Sequence, residues 1–141
     1  MKEYYKNPIE TKKSFHDDWL LTGDLGLMDS DHFVFVKGRI KELIIKGGEN
    51  ISPREIDDVL YQHPDILEAA AFGDDCTHYG ETVKAGVVLK NKDSVSEKDL
   101  IEHCSKILGK FKSPDNIYFF DELPKGSSGK IQRLKIKDQI K

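Results

Sequence analysis

Ser52, Pro53 and Glu55 constrain this chain more than any other short stretch. Ser52 has the side chain of a helix N-cap, Pro53 suits the first helical position, and Glu55 completes a capping box. Ile56, Val59 and Leu60 follow at helical spacing, so the helix buries one face, and Pro64 ends it. An amphipathic helix this short needs a surface to cover, and the flanking apolar runs supply one. Residues 43–46, 66–72 and 82–89 read as strands, with the Gly47-Gly48 turn after the first and a loop opened by Asp74-Asp75 after the second. Ser96 and Asp99 cap a second helix with apolar positions at Leu100, Ile101, Cys104, Ile107 and Leu108, and Gly109 stops it. A third long strand is expected over 116–120 and a last helix near 133–140. The order strand-helix-strand-strand-helix-strand predicts an α+β fold, a small mixed β-sheet with packed helices.

Upstream, residues 1–18 show no clean period, and Asn7-Pro8 and Asp17-Asp18 read as turns. Residues 25–28 and 33–36 form a predicted β-hairpin around Asp29-Ser30-Asp31, and Gly38 punctuates it. A chain of 141 residues suffices for one ordinary domain with an appendage. Its 38% hydrophobic and 33% charged residues describe a polar globular unit suited to docking on a larger partner. A net charge of -3 gives no argument for nucleic acid. No run reaches the roughly 20 apolar residues of a membrane span. No secretory signal is visible at Met1, and the chain ends in Gln139-Ile140-Lys141 instead of a peroxisomal tripeptide, so a cytoplasmic location is expected. Cys76 and Cys104 lack metal spacing and read as reduced thiols. His16, His32, His63, His78 and His103 are scattered, and no metal site is assigned. The basic residues Lys125, Lys130, Arg133, Lys135, Lys137 and Lys141 form either a phosphate-facing surface or a solvated helix face.

Three patches carry the chemistry. Residues 124–133, PKGSSGKIQR, put Lys130 on a glycine- and serine-rich loop, where an ammonium is a mobile point charge suited to phosphate or developing oxyanion charge. Residues 19–24 read WLLTGD, and residues 38–51 read GRIKELIIKGGENI. In this order the patches resemble the adenylate-forming superfamily of AMP-producing acyl-CoA synthetases, over residues 5–136. The resemblance implies that residues 1–38 end a large N-terminal domain, 39–42 form a hinge, and 43–141 form the mobile C-terminal domain. The phosphate loop and acyl pocket of such enzymes lie in the part of the large domain that this chain lacks.

The same resemblance assigns roles. Asp24 would hold the ribose of ATP or AMP, its other reading being a capping or turn aspartate. Arg39 would fork onto ribose or phosphate oxygens, or else pair with an acid such as Glu42. Lys41 would be the hinge residue, a position where aspartate is also common. Gly47 and Gly48 would turn close to the pantetheine arm of CoA, or form a plain hairpin turn. Asn50 stands where many relatives carry arginine or glutamine. Lys130 would be catalytic, bridging the substrate carboxylate and the α-phosphate. Ser128 replaces a common threonine. His78-Tyr79-Gly80-Glu81 resembles a structural turn of the family, and Phe119-Phe120 reads as core strand.

The implied activity joins a carboxylic acid to CoA with ATP, giving acyl-CoA, AMP and pyrophosphate, with Mg2+ accompanying ATP. The Pro124 to Lys130 pattern is like one acetylated in bacterial relatives, which implies a lysine acetyltransferase as partner. Two alternatives stand beside this reading. A carrier-loading adenylation domain would share the layout, but Lys41 and the sequence SGKIQR argue against it. A non-catalytic nucleotide- or CoA-binding module is the other. The particular acid is not readable from these residues.

Overall fold

A computed structural model describes residues 1–140, which divide into two compact units, residues 1–41 and 42–140. The first begins with a short helix, α1 (Pro8–Lys13), where the sequence suggested only a turn. The Glu10 N–H donates to Asn7 Oδ1 at 3.1 Å, and Pro8 takes the first helical position. None of its residues is buried, so the helix has no apolar stripe to betray it. Strands β1 (Phe15–His16) and β2 (Trp19–Leu20) follow, turning through Asp17 at φ 52°. The expected hairpin is present as β3 (Asp24–Met28) and β4 (Val34–Arg39), with a register shift between Leu25 and Gly26. No residue of this unit is buried, and Trp19, Phe33 and Val34 are all more than half exposed.

The second unit is the expected α+β domain. Its strands are β5 (Ile44–Lys46), β6 (Glu49–Ile51), β7 (Ile66–Cys76), β8 (Gly80–Leu89) and β9 (Asn116–Phe119). They form a five-stranded sheet in the order β6-β5-β8-β7, with β9 joined to β8 in parallel and every other pair antiparallel. Helices α2 (Pro53–Leu60) and α3 (Glu97–Lys112) supply the layer that covers it. Strand alternation sorts the core. Ala69, Ala71, Val83, Ala85 and Val87 join Ile56, Leu60, Leu100 and Cys104 in the larger cluster. Ala70, Phe72 and Val88 take the other face with Leu123 and Ile136. Gly86 permits this second layer, because a Cβ there would lie 3.0 Å from the Leu123 and Phe120 side chains.

Several local expectations give way to tertiary contacts. Ser52 sits at the N-cap without a side-chain capping bond, so the capping box lacks the bond that Ser52 would accept from Glu55. The Glu55 carboxylate takes the Lys112 ammonium at 2.8 and 2.9 Å. Ser96 does cap α3, accepting from the Asp99 N–H. Gly109 breaks α3 at φ 76°, but the helical path resumes to Lys112. Asp74 and Asp75 do not open a loop. They continue β7 opposite Thr82 and Glu81, and Asp74 meets Lys84 at 2.6 Å. The strand at 116 is four residues, not long, and Phe119 within it is exposed. The last helix is replaced by two 3-10 turns, Arg133–Lys135 and Lys137–Gln139.

Candidate functional site

In the first unit Asp24 and Arg39 face each other across β3 and β4, and Arg39 Nε lies 2.9 Å from Asp24 Oδ1. The same guanidinium donates from Nη1 to the Thr22 carbonyl at 3.1 Å. Gly23, at φ 74°, lets the chain turn so that its carbonyl accepts the Ile40 N–H. A depression of about 630 Å³ results, lined by Leu20, Thr22, Gly23, Asp24, Arg39 and Lys41. It offers carboxylate and hydroxyl acceptors beside a cation, a donor set that suits a sugar hydroxyl next to phosphate. Of the two readings of Arg39, the ion pair is formed, with Asp24 as the acid. Lys41 lies in the 3-10 turn Ile40–Glu42 and is exposed.

In the second unit Gly47 and Gly48 form the two-residue turn between β5 and β6, with φ of 59° and 84°. Positive φ at both positions is the mirror-image turn that matches strand twist, and glycine adopts it without strain. The Gly47 N–H donates to the Tyr79 carbonyl at 2.8 Å, and the Ile45 N–H donates to Glu81 Oε2 at 2.5 Å. The residues 78–81 thus brace this turn. A Cβ on Gly48 would meet nothing within 4 Å, so the tip is open. Asn50 lies opposite Ile45 and is exposed.

Lys130 stands on a loop closed by paired backbone bonds. The Gly126 N–H donates to the Lys130 carbonyl at 2.8 Å, and the Gln132 N–H donates to the Pro124 carbonyl at 2.7 Å. Gly129, at φ 76°, makes the reversal. The Lys130 side chain is exposed and forms no ion pair among the described residues. The basic residues that flank it in sequence, Lys125 and Arg133, are engaged. Lys125 lies 2.7 Å from Glu68 Oε1 and 3.5 Å from Glu122 Oε1. Arg133 is not part of a basic surface at all. It is 15% exposed, and Nη2 lies 2.6 Å from Asp57 Oδ2. Nη1 donates to Asp57 Oδ1 at 3.2 Å and to the Ala71 carbonyl, and Nε faces Glu42 Oε2 at 3.4 Å.

Sequence reasoning missed this cluster. The available signal was Asp57 itself, an acid on the buried face of α2 beside Ile56 and Leu60. A carboxylate there requires a cation. Burial pushes the Asp57 carboxyl above the ordinary carboxylate value, and the Arg133 hydrogen bonds and charge pull it back. Burial likewise opposes the Arg133 charge, and the hydrogen bonds and charges of Asp57 and Glu42 outweigh it, so the guanidinium stands above its ordinary value. Lys46 was missed too. Its side chain is buried, with the ammonium 3.1 Å from Asp115 Oδ2 and 5.5 Å from the Phe111 ring centre. The site residues therefore fall into three groups: Asp24, Arg39 and Lys41 around one depression, Gly47, Gly48 and Asn50 on one turn, and Lys130 on its own loop.

Residues 55–130 match the family model described as the AMP-binding enzyme C-terminal domain. The chain is 50% identical over 137 residues to a sulfoacetate–CoA ligase of Cupriavidus necator, covering 96% of this chain and 27% of that protein. It is 45% identical to an oxalate–CoA ligase of Arabidopsis thaliana, covering 94% of this chain and 26% of that protein. Among solved structures it resembles o-succinylbenzoate CoA synthetase from Bacillus subtilis in complex with its acyl-adenylate intermediate, with a TM-score of 0.90 and 38% identity over 98% of this chain and 28% of that one. The chain thus spans about a quarter of the length of the curated relatives it matches.

Proposed function

The chain belongs to the AMP-binding enzyme C-terminal domain family, and from that premise we propose that it is the C-terminal part of an ATP-dependent, AMP-forming carboxylate–CoA ligase. In this reading residues 1–38 complete a large N-terminal domain, 39–42 are the hinge, and 43–141 are the mobile domain. The exposed apolar residues of the first unit, Trp19 and Phe33 among them, support a covering partner of that kind.

The observation that carries the proposal is the contrast between Lys130 and the two basic residues that flank it, Lys125 and Arg133. Lys125 and Arg133 are neutralised by protein carboxylates, whereas Lys130 projects from a closed loop without one among the described residues. An unpaired ammonium on a positioned loop is available to an anionic reactant. In the first half-reaction a carboxylate oxygen of the acid attacks the α-phosphorus of ATP, and pyrophosphate leaves. Lys130 bridges the two anions and offsets the charge that builds on phosphorus. Asp24 accepts from ribose hydroxyls, and Arg39 orders Asp24 and faces ribose or phosphate oxygens. Mg2+ enters with ATP as part of the substrate.

The small domain then turns about Lys41, where a few backbone angles absorb the change. In the second orientation the Gly47-Gly48 tip, with Asn50 beside it, flanks the pantetheine arm. The CoA sulfur attacks the acyl carbon, its proton passes to solvent, and AMP leaves with the former acyl–phosphate oxygen. Free thiols at Cys76 and Cys104 are in keeping with a cytoplasmic location. Acetylation of Lys130 by a lysine acetyltransferase would remove its charge and stop adenylation while sparing thioester formation.

The test uses the full-length protein that carries this chain, with Lys130→Ala and Lys130→Gln, against a panel of short, fatty, aryl and dicarboxylic acids. Pyrophosphate release is expected to require both an acid and Lys130, and supplied acyl-adenylate is expected to react with CoA in both variants. Release of pyrophosphate without any consumption of CoA would move the acceptor to a carrier protein.

A further inference from the structure

We propose that Arg133 is a positioning residue for Lys130, acting through the buried fork it makes with Asp57 and Ala71. The proposal rests on the adenylation role of Lys130 given above. Lys130 and Arg133 are three residues apart, so a guanidinium fixed in the core sets where the loop emerges. Its hydrogen-bonding edges are taken by protein: Nη2 and Nη1 by the two Asp57 oxygens, Nη1 also by the Ala71 carbonyl, and Nε by Glu42. The fork of Arg133 is therefore spent on protein carboxylates and a carbonyl, and a phosphate-binding role does not account for it.

The loop is held at its other end as well. Lys125 is fixed by Glu68 on β7, and β7 also supplies the Ala71 carbonyl to Arg133. Both ends of the Lys130 loop are thus tied to one strand, β7, at positions three residues apart. Apolar contact of the fully buried Ile136 holds the segment down, but apolar contact has no direction. The planar fork supplies one, because two parallel bonds to a carboxylate fix both angle and register. Glu42, the first residue of the second unit, closes the remaining side of the guanidinium. Placement on this scale governs rate, since a displacement of about 1 Å can cost about 100-fold.

The experiment uses the full-length enzyme as wild type, Arg133→Lys, Asp57→Asn, Lys130→Ala, and Arg133→Lys combined with Lys130→Ala. Pyrophosphate release without CoA reads the first half-reaction, and CoA-thiol loss with supplied acyl-adenylate reads the second. Arg133→Lys keeps the charge and loses the fork, so adenylation should fall about 10-fold or more. Thioester formation should stay within about twofold, and the double variant should adenylate no more slowly than Lys130→Ala. Where Arg133→Lys fails to accumulate folded, Asp57→Asn carries the same comparison. Equal loss in both half-reactions, or a full further loss on top of Lys130→Ala, would make Arg133 a stability residue and overturn the proposal. Wild-type adenylation by Arg133→Lys beside a slow Lys130→Ala overturns this proposal alone. Normal adenylation by Lys130→Ala overturns the reading of Lys130 and this proposal with it.

Discussion

Lys46 is held by Asp115: the ammonium lies 3.1 Å from Asp115 Oδ2 on a lysine side chain only 7% exposed. Asp115 also accepts from the Thr82 hydroxyl, and the Phe111 ring lies against the same ammonium. Lys46 immediately precedes the Gly47-Gly48 turn, so the network roots that turn in the sheet. Asp115→Ala would leave a buried cation without its acid. It is expected to cost about 1.5–3 kcal/mol, the worth of a hydrogen bond to a charged group. Lys46→Met in the same background should recover part of that, because removing the orphaned charge relieves its desolvation. Urea unfolding of the single and double variants measures both; additive losses would mean that the two residues do not interact.

Gly47 and Gly48 separate backbone strain from steric filling. Both have positive φ, so alanine at either is strained by about 1–2 kcal/mol. A Cβ at Gly47 meets Tyr79 at 3.5 Å, an ordinary contact, and a Cβ at Gly48 meets nothing within 4 Å. Equal losses of stability are therefore expected for Gly47→Ala and Gly48→Ala in denaturant titration. If the tip flanks the pantetheine arm, Gly48→Leu in the full-length enzyme should slow thioester formation from supplied adenylate more than it slows pyrophosphate release. Equal slowing of the two steps would remove the turn from the CoA path.

The second unit was legible where one periodicity ran unopposed. Ile56, Val59 and Leu60 mark α2, Leu100 and Cys104 mark α3, and the long antiparallel pair announced itself through its apolar runs. Reading failed where a distant partner decided the outcome. Glu55 looks like a capping-box acid until Lys112 arrives from 57 positions away. Arg133 looks like part of a basic face, and its carboxylate is 76 positions upstream. In the first unit α1 escaped because it buries nothing. For the site, the turn at Gly47-Gly48 and the loop of Lys130 were visible from glycine placement, whereas Asp115 carries no local pattern, and Asp57 shows only as an acid on the apolar face of α2 with nothing nearby to name its cation.

Asp74 and Lys84 form a cross-strand ion pair with a signed pH dependence. The Lys84 hydrogen bond holds the Asp74 carboxyl below its ordinary value of 3.8, and the Asp74 bond raises Lys84 above its ordinary 10.5. A depressed carboxylate adds stability above its unfolded pKa and loses it as pH falls through the folded one. A raised lysine adds stability below its unfolded pKa and loses it as pH rises through the folded one. The pair therefore contributes between about 4 and about 10 and fades on both sides. Because both side chains are partly exposed, the contribution should be about 1 kcal/mol or less. Asp74→Asn should be less stable than wild type at pH 7 and should converge with it as pH falls below 3.8 through the folded Asp74 value. A constant gap down to pH 2 would show that the loss comes from packing and not from charge.

Cys104 and Cys76 should differ in reactivity by position. Cys104 is fully buried on α3, and burial pushes its thiol up to about 11, whereas Cys76 is partly exposed at the end of β7. The thiolate is the nucleophile, so a buried protonated thiol is inert until the core opens. In native protein at pH 8, iodoacetamide is expected to label Cys76 and spare Cys104, and both should be labelled in denaturant. The same shift affects stability in base. Unfolding returns Cys104 to its ordinary value of 9.0, so the unfolded chain loses that proton first and wild type weakens between pH 9 and about 11. Cys104→Ala lacks this dependence, so its stability should fall less steeply there, by up to about 1.4 kcal/mol per pH unit. Rapid native labelling of Cys104 at pH 8, or parallel alkaline curves for the two proteins, would mean that the α3 face of the core admits solvent.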